Sequence, residues 1–204
     1  MGSYHGPMAG PRPARSRART RRGRPPGAEA LGRDDVVRAA ADLVDREGWA
    51  ALSLARVARE LGRHATSMYA HLRGIDDLRA AIALRAVDEL AAEVWPAALG
   101  KVGADALGAI GREYHAFATA HPGRTAALSS IDPSDPAAAE ALARLHEPLA
   151  ATFRSFGLDD EQAASAHRIF GATINGLVTT GGTGELDRTV ALFVVALSTG
   201  TWPS

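Results

Sequence analysis

The stretch Ser53-Leu54-Ala55-Arg56-Val57-Ala58-Arg59-Glu60-Leu61-Gly62, continued by Arg63-His64-Ala65-Thr66-Ser67-Met68-Tyr69-Ala70-His71-Leu72, decides the fold of this chain. Ser53 is a good N-cap, and Leu54, Val57, Ala58 and Leu61 share one helical face that stops at Gly62. A further short helix is expected near His64 to His71, with Met68 and Leu72 turned inward and Gly74 closing it. Two short helices can cross steeply when a small residue sits at the crossing and a glycine takes the left-handed turn between them. Ala58 and Gly62 meet those needs, and Leu54, Val57, Leu61 and Met68 form the apolar wedge.

The outer side chains of the later helix are then His64, Thr66, Ser67 and Ala70, flanked by Arg63 and Tyr69. They are mostly hydrogen-bond donors suited to base edges and phosphates in a major groove. A helical hairpin inside an ordinary bundle, with Gly62 as a routine C-cap, has the same spacing. Charge favours the DNA reading. Seven Arg stand between Arg12 and Arg24 with no acid before Glu29, a composition that reads as a disordered basic arm over residues 1–30. Arms of this kind, placed ahead of such a motif, enter minor grooves in other folds.

The formal net charge of zero hides a segregation: residues 1–74 hold 14 Arg against 7 acids, and the remaining residues are acidic to the same extent. Only the front half is therefore expected to meet a polyanion. The absence of cysteine excludes disulfides, thiolate metal sites and cysteine nucleophiles. Lysine occurs once, at Lys101, so a Walker-type phosphate loop is excluded. The arm has no apolar run resembling a signal peptide or anchor, and Ala-rich segments elsewhere are broken by charge, which together read as a cytoplasmic protein.

Outward from the motif the apolar spacing is helical throughout. Val36, Val37, Ala40, Leu43 and Val44 share a face in a first helix from Arg33 that stops at Gly48. After the motif, a helix is expected from Asp76 to about Val94, ended by Trp95-Pro96. Others follow at roughly Ala104 to Ala120, after Pro122, at Pro136 to Phe156 with a kink at Pro148, at Asp159 to Thr180 and at Leu186 to Leu197. No period-2 stretch with turn signals is present, so the fold class is all-α with about nine helices.

The run from Ala51 to Gly62, with Ser67-Met68-Tyr69-Ala70-His71-Leu72 and Asp77-Leu78, resembles the DNA-binding domain of the TetR family of repressors. The resemblance covers about Arg33 to Ala92 well and the rest loosely. It implies a three-helix DNA-binding domain over residues 31–76 and a helical ligand-binding and dimerisation domain over 77–204. By position it implies that Ser53 caps its helix and donates to a phosphate, that Tyr69 and His71 contact the DNA backbone, and that Thr66 and Ser67 read bases. The DNA-facing set is Ser53, Arg56, Arg63, His64, Thr66, Ser67, Tyr69 and His71. Three positions depart from the family pattern: Arg63 replaces a buried aliphatic residue, Ile75 replaces a phosphate-binding lysine, and His64 replaces the usual small N-cap residue, so that the short helix is expected to begin a residue or two late.

The stretch Tyr114-His115-Ala116-Phe117-Ala118-Thr119-Ala120-His121-Pro122-Gly123 and the run from Ala166 to Gly176 resemble the branch with a WHG-type C-terminal domain, Asn175-Gly176 standing where a His-Gly pair is usual. For this domain the resemblance implies a small, largely hydrophobic effector in an apolar cavity with a few polar anchors. Trp95, Tyr114, Phe117, Phe170 and Asn175 are the candidate ligand contacts, while His115 and His146 read as satisfied structural histidines. Leu192, Phe193, Val195, Ala196 and Leu197 are too apolar all round for a solvated terminal helix, so the last two long helices are the expected homodimer interface; completion of the monomer core is the competing reading.

Catalysis finds no support in the motifs. His-Glu-x-x-His, paired Glu-x-x-His and Gly-x-Ser-x-Gly are absent. His146-Glu147 is followed by Pro148, and Gly181-Gly182-Thr183-Gly184 lacks a following lysine. The expected protein is not an enzyme and needs no cofactor or metal; it is a regulator with double-stranded DNA and a small molecule as partners and no membrane. The remaining alternative is a small-molecule-binding helical module whose DNA surface has decayed at Arg63 and Ile75.

Overall fold

Gly32 precedes the first helix, α1 (Arg33–Glu47), and its N–H donates to the Asp35 carboxylate at 2.9 Å. Asp34 and Asp35 lie in the first turn and Arg46 in the last, each at the end its charge favours. Gly48, at φ 79°, stops the helix by donating to Val44 O. A 3₁₀ turn (Trp49–Ala51) leads to Ser53, whose Oγ accepts from Arg56 N at 3.2 Å and so caps α2 (Leu54–Glu60). Gly62, at φ 62°, takes the left-handed turn, and Arg63 N closes it on Ala58 O at 2.8 Å. The short helix expected near His64 to His71 is a 3₁₀ helix, Ala65–Ala70. His64 keeps an extended backbone at its start.

The computed structural model describes residues 1–2, 31–181 and 183–199; most of the expected basic arm lies outside them. The residues from Leu31 onward form one unit. After the 3₁₀ segment come α3 (Ile75–Ala98), α4 (Gly103–Ala120), α5 (Pro122–Leu128), α6 (Pro136–Arg154), α7 (Asp160–Thr180), a 3₁₀ turn (Thr183–Glu185) and α8 (Leu186–Ser198). No strand occurs among the described residues. Asp135 caps α6 ahead of Pro136. Asp159 and Gln162 form a reciprocal capping box at α7, with bonds of 2.8 and 3.2 Å.

One boundary differs materially. The helix expected to end at Trp95-Pro96 carries Pro96 inside it and continues to Ala98. Pro96 costs only one amide bond so near the end, and the last carbonyls are taken up by Leu99 N, Lys101 N and Lys101 Nζ.

Two apolar cores result. The first packs α1, α2 and the 3₁₀ segment through Val36, Leu43, Val57, Ala58, Met68 and Leu72, with Leu78, Ile82 and Ala127 closing it. The second packs α3, α4, α6, α7 and α8 through Leu90, Leu107, Phe153, Phe170 and Ile174. At about 1.5 Å per residue α3 spans roughly 36 Å, so it contributes Leu78 and Ile82 to one core and Leu90 and Val94 to the other. Among the described residues no helix is long and apolar enough to cross a membrane.

Candidate nucleic-acid interface and effector chamber

The 3₁₀ segment is exposed on one side and anchored on the other. Met68 is fully buried and Leu72 nearly so, while Tyr69 is 64% exposed; Arg63, His64, Thr66 and Ala70 are exposed as well. Ser67 and His71 are half-buried. Ser67 donates both its N–H and its Oγ–H to His64 O, at 3.0 and 2.7 Å, which stiffens the start of the segment and leaves the hydroxyl lone pairs as acceptors. The structure thus brings Arg63, His64, Thr66, Ser67, Tyr69 and His71 together on one short element, with Ser53 exposed at the start of α2. Arg56 does not join this set: its guanidinium is held by Glu47 at 2.5 Å and Glu60 at 2.9 Å.

In the second core, Tyr114 and Asn175 meet. The phenol donates to Asn175 Oδ1 at 3.1 Å, and burial pushes its pKa up against the opposing effect of that bond. Tyr114 and Phe170 line a cavity of about 30 Å³ with Val94, Ile110, Leu145, Leu149, His167 and Gly171. Two expected ligand contacts lie elsewhere. Trp95 stays in helical register because α3 continues past it; 40% exposed, it donates Nε1–H to Arg144 O at 2.9 Å and lines a separate cleft of about 240 Å³ beside Leu99, Lys101 and Pro148. Phe117 stacks on the His121 ring at 5.0 Å and does not line the cavity.

The histidines also differ from expectation. His115 is buried with no hydrogen-bond partner for Nε2 among the described residues. His146 packs edge-on against His167, ring centroids 4.1 Å apart. Burial, then the neighbouring His146 and Arg168, push His167 down to about 4, and burial lowers His146 too. His167 therefore presents a neutral imidazole to the cavity at neutral pH. No helical spacing links it to His146, since the pair is made by α6 meeting α7.

Between the two cores lies a feature no sequence pattern disclosed. Arg124 of α5 is buried, and its guanidinium pairs with Asp42 and with Asp45 at 2.9 Å on α1, and with Glu89 at 3.2 Å on α3. Its backbone N–H also donates to Asp45 at 2.8 Å, and His121 Nδ1 lies 3.1 Å from the same carboxylate. Trp49 Nε1 donates to Gly123 O at 3.0 Å. A Cβ on Gly123 would fall 2.4 Å from the Val44 carbonyl, so only glycine lets α5 lie this close to α1.

A helix-turn-helix with an exposed reading element, joined by a long helix to a separate helical bundle, is the layout of a DNA-binding regulator with a ligand-sensing domain. Comparison with known proteins places the chain in that class. A family model described as the tetracyclin repressor-like C-terminal domain matches residues 107–196. An HTH-type transcriptional regulator of Mycobacterium tuberculosis is 32% identical over 183 residues, 89% of this chain and 83% of that protein. Among solved structures, BioQ with its double-stranded DNA operator matches with a TM-score of 0.63 at 20% identity, over 83% of this chain and 99% of that one. The Streptomyces coelicolor TetR family protein ActR in complex with actinorhodin matches at 0.55 and 23% identity, over 78% and 73%.

The chain belongs to the TetR family of helix-turn-helix transcriptional regulators. The match to its C-terminal half does not extend to the narrower WHG-type branch.

Proposed function

We propose that the chain is a homodimeric, cytoplasmic repressor that binds a palindromic operator through the Ala65–Ala70 segment and is released by a small, largely hydrophobic effector. Residues 31–76 form the reading domain and 77–204 the sensing and dimerising domain. The observation that carries this reading is the exposure of Thr66 and Tyr69 on an element whose inner side, Met68 and Leu72, is buried. A rigid base with free polar side chains is what groove recognition requires. Among its structural relatives, BioQ is bound to a DNA operator and ActR to actinorhodin.

Dimerisation is supported by the outer face of α7 and α8, where Ile169, Leu192 and Val195 are 47%, 70% and 61% exposed. Apolar side chains presented by two neighbouring helices suit a four-helix contact between two chains. The effector chamber is the cavity beside Tyr114, Asn175, His167 and Phe170. At about 30 Å³ it holds no more than a water or so, whereas a drug-sized ligand occupies roughly 300–1,000 Å³. Entry of an effector therefore requires α4, α6 and α7 to separate, and that movement supplies the difference between bound and free states on which release depends.

The test is a mobility shift with the DNA upstream of the protein's own gene. Replacement of both Tyr69 and His71 by Ala abolishes the shift under this reading while leaving helical content unchanged. Unaltered binding by the double variant refutes it and favours the module with a decayed DNA surface.

A further inference from the structure

The end of the reading segment is tied to two distant elements by one ion pair. Arg33, the first residue of α1, donates Nη1–H to His71 O at 2.8 Å and to Asp77 Oδ2 at 3.0 Å, while Nη2–H donates to Asp77 Oδ1 at 2.7 Å. The same Asp77 carboxylate accepts from Arg73 N at 2.8 Å. Asp77 lies in the first turn of α3, where the helix dipole favours an anion. The hydrogen bonds from Arg33 and Arg73 hold its carboxyl well below the usual carboxylate range, so it is ionised wherever the protein is folded and active. Start of α1, end of the reading segment and start of α3 thus meet at one fork-shaped contact.

We propose that Arg33 and Asp77 are positioning residues for DNA binding, fixing Tyr69 and His71 against the duplex without touching it. The proposal rests on the DNA-binding reading above and extends it to residues outside the exposed face. Its physical basis is that Met68 and Leu72 anchor the inner side of the segment, whereas its outer end is held by this ion pair. A 3₁₀ segment of six residues has poor hydrogen-bond geometry of its own, and the carbonyl of the residue that caps its end, His71 O, is satisfied by Arg33. Arg33 is about half exposed, and such pairs add little to global stability. A bidentate guanidinium–carboxylate pair does, however, fix relative orientation.

The sign of one substitution separates this role from simple charge. Asp77 is an anion beside a surface that meets DNA, so removing its charge improves binding if electrostatics alone operates. If Asp77 positions the segment, removing it weakens binding. The experiment uses the full chain and a duplex enriched from a random pool by the wild-type protein, with affinity measured by fluorescence anisotropy across a salt series and Tm by circular dichroism.

Asp77→Asn and Arg33→Lys are each expected to weaken binding by roughly tenfold or more, with Tm nearly unchanged. The two losses are not additive in the double variant. The salt slope is unaltered, because no Lys or Arg contact to a phosphate is lost. Asp77→Glu, which keeps the charge but displaces the carboxylate, is expected to fall in between and serves as the readout should Asp77→Asn fail to fold.

Equal or tighter binding by Asp77→Asn overturns the proposal. So does a loss at Arg33→Gln, absent at Asp77→Asn, with a shallower salt slope, which identifies Arg33 as a phosphate contact. Failure of the wild type to enrich any duplex overturns the DNA-binding reading itself.

Discussion

At the scale of single residues, the packing leaves a few positions no freedom. Gly123 is the clearest case. With the α1 backbone 2.4 Å from where its Cβ would lie, Gly123→Ala is expected to push α5 off α1 at a cost of about 1–3 kcal/mol, as other overpacked sites show; thermal melts measure it. His167 sets a pH limit. Its folded-state pKa of about 4 lies below its ordinary value of 6.5, so the neutral form is favoured by folding. Its contribution is complete above about pH 6.5 and declines as pH falls towards 4. The apparent Tm is expected to drop across that interval, and to drop less in His167→Asn. A Tm equally pH-dependent in the variant contradicts the assignment.

Among these residues, legibility followed locality. Gly62 was readable because its left-handed backbone is demanded by the turn in which it stands. Tyr114 and Asn175 were readable only as members of a resembling pattern; their hydrogen bond joins residues 61 apart. Arg124 and its carboxylates left no trace, because charge pairs across three helices follow from packing and not from spacing. The partners of Arg56 were hidden for a related reason. Arg56 stands in the DNA-facing set by position, and its pairs with Glu47 and Glu60 join it to α1 and to its own helix.

At the scale of elements, the helices were legible wherever a cap and an apolar stripe agreed, as at Gly48, Ser53 and Asp159. Two details lay beyond the pattern, each for its own reason. The segment after Gly62 tightened into a 3₁₀ form, since only Met68 and Leu72 anchor it and six residues do not demand a full α-helical ladder. α3 ran through Pro96 because a proline in a final turn breaks little. The same packing logic yields a prediction for α8. Leu192 and Val195 are exposed on the single chain, so Leu192→Glu combined with Val195→Glu is expected to give a folded monomer in sedimentation while wild type sediments as a dimer. A dimer unaffected by both charges places the interface elsewhere.

At the scale of the whole molecule, two cores share one long helix and are bound together by Arg124. Removing Arg124 leaves the buried Asp45 carboxylate without its guanidinium, and losing one partner of a buried ion pair typically costs about 3–5 kcal/mol. Arg124→Ala is therefore expected to unfold at markedly lower denaturant concentration; loss of the equilibrium two-state transition would show that the cores had separated. The charge asymmetry of the sequence makes a second prediction on this scale. DNA affinity should fall steeply with salt, and deletion of residues 1–30 should flatten the slope by the number of Arg–phosphate contacts removed.

The central claim is that the exposed side chains of Ala65–Ala70 read the sequence of duplex DNA. Its most direct test is selection from a random duplex pool by the wild type and by Thr66→Ala combined with Ser67→Ala. The wild type is expected to select a palindromic site with half-sites about one helical turn apart, and the variant to show relaxed base preference at the positions facing Thr66 and Ser67. Recovery of the same site, with the same preference at every position, by both proteins would contradict it.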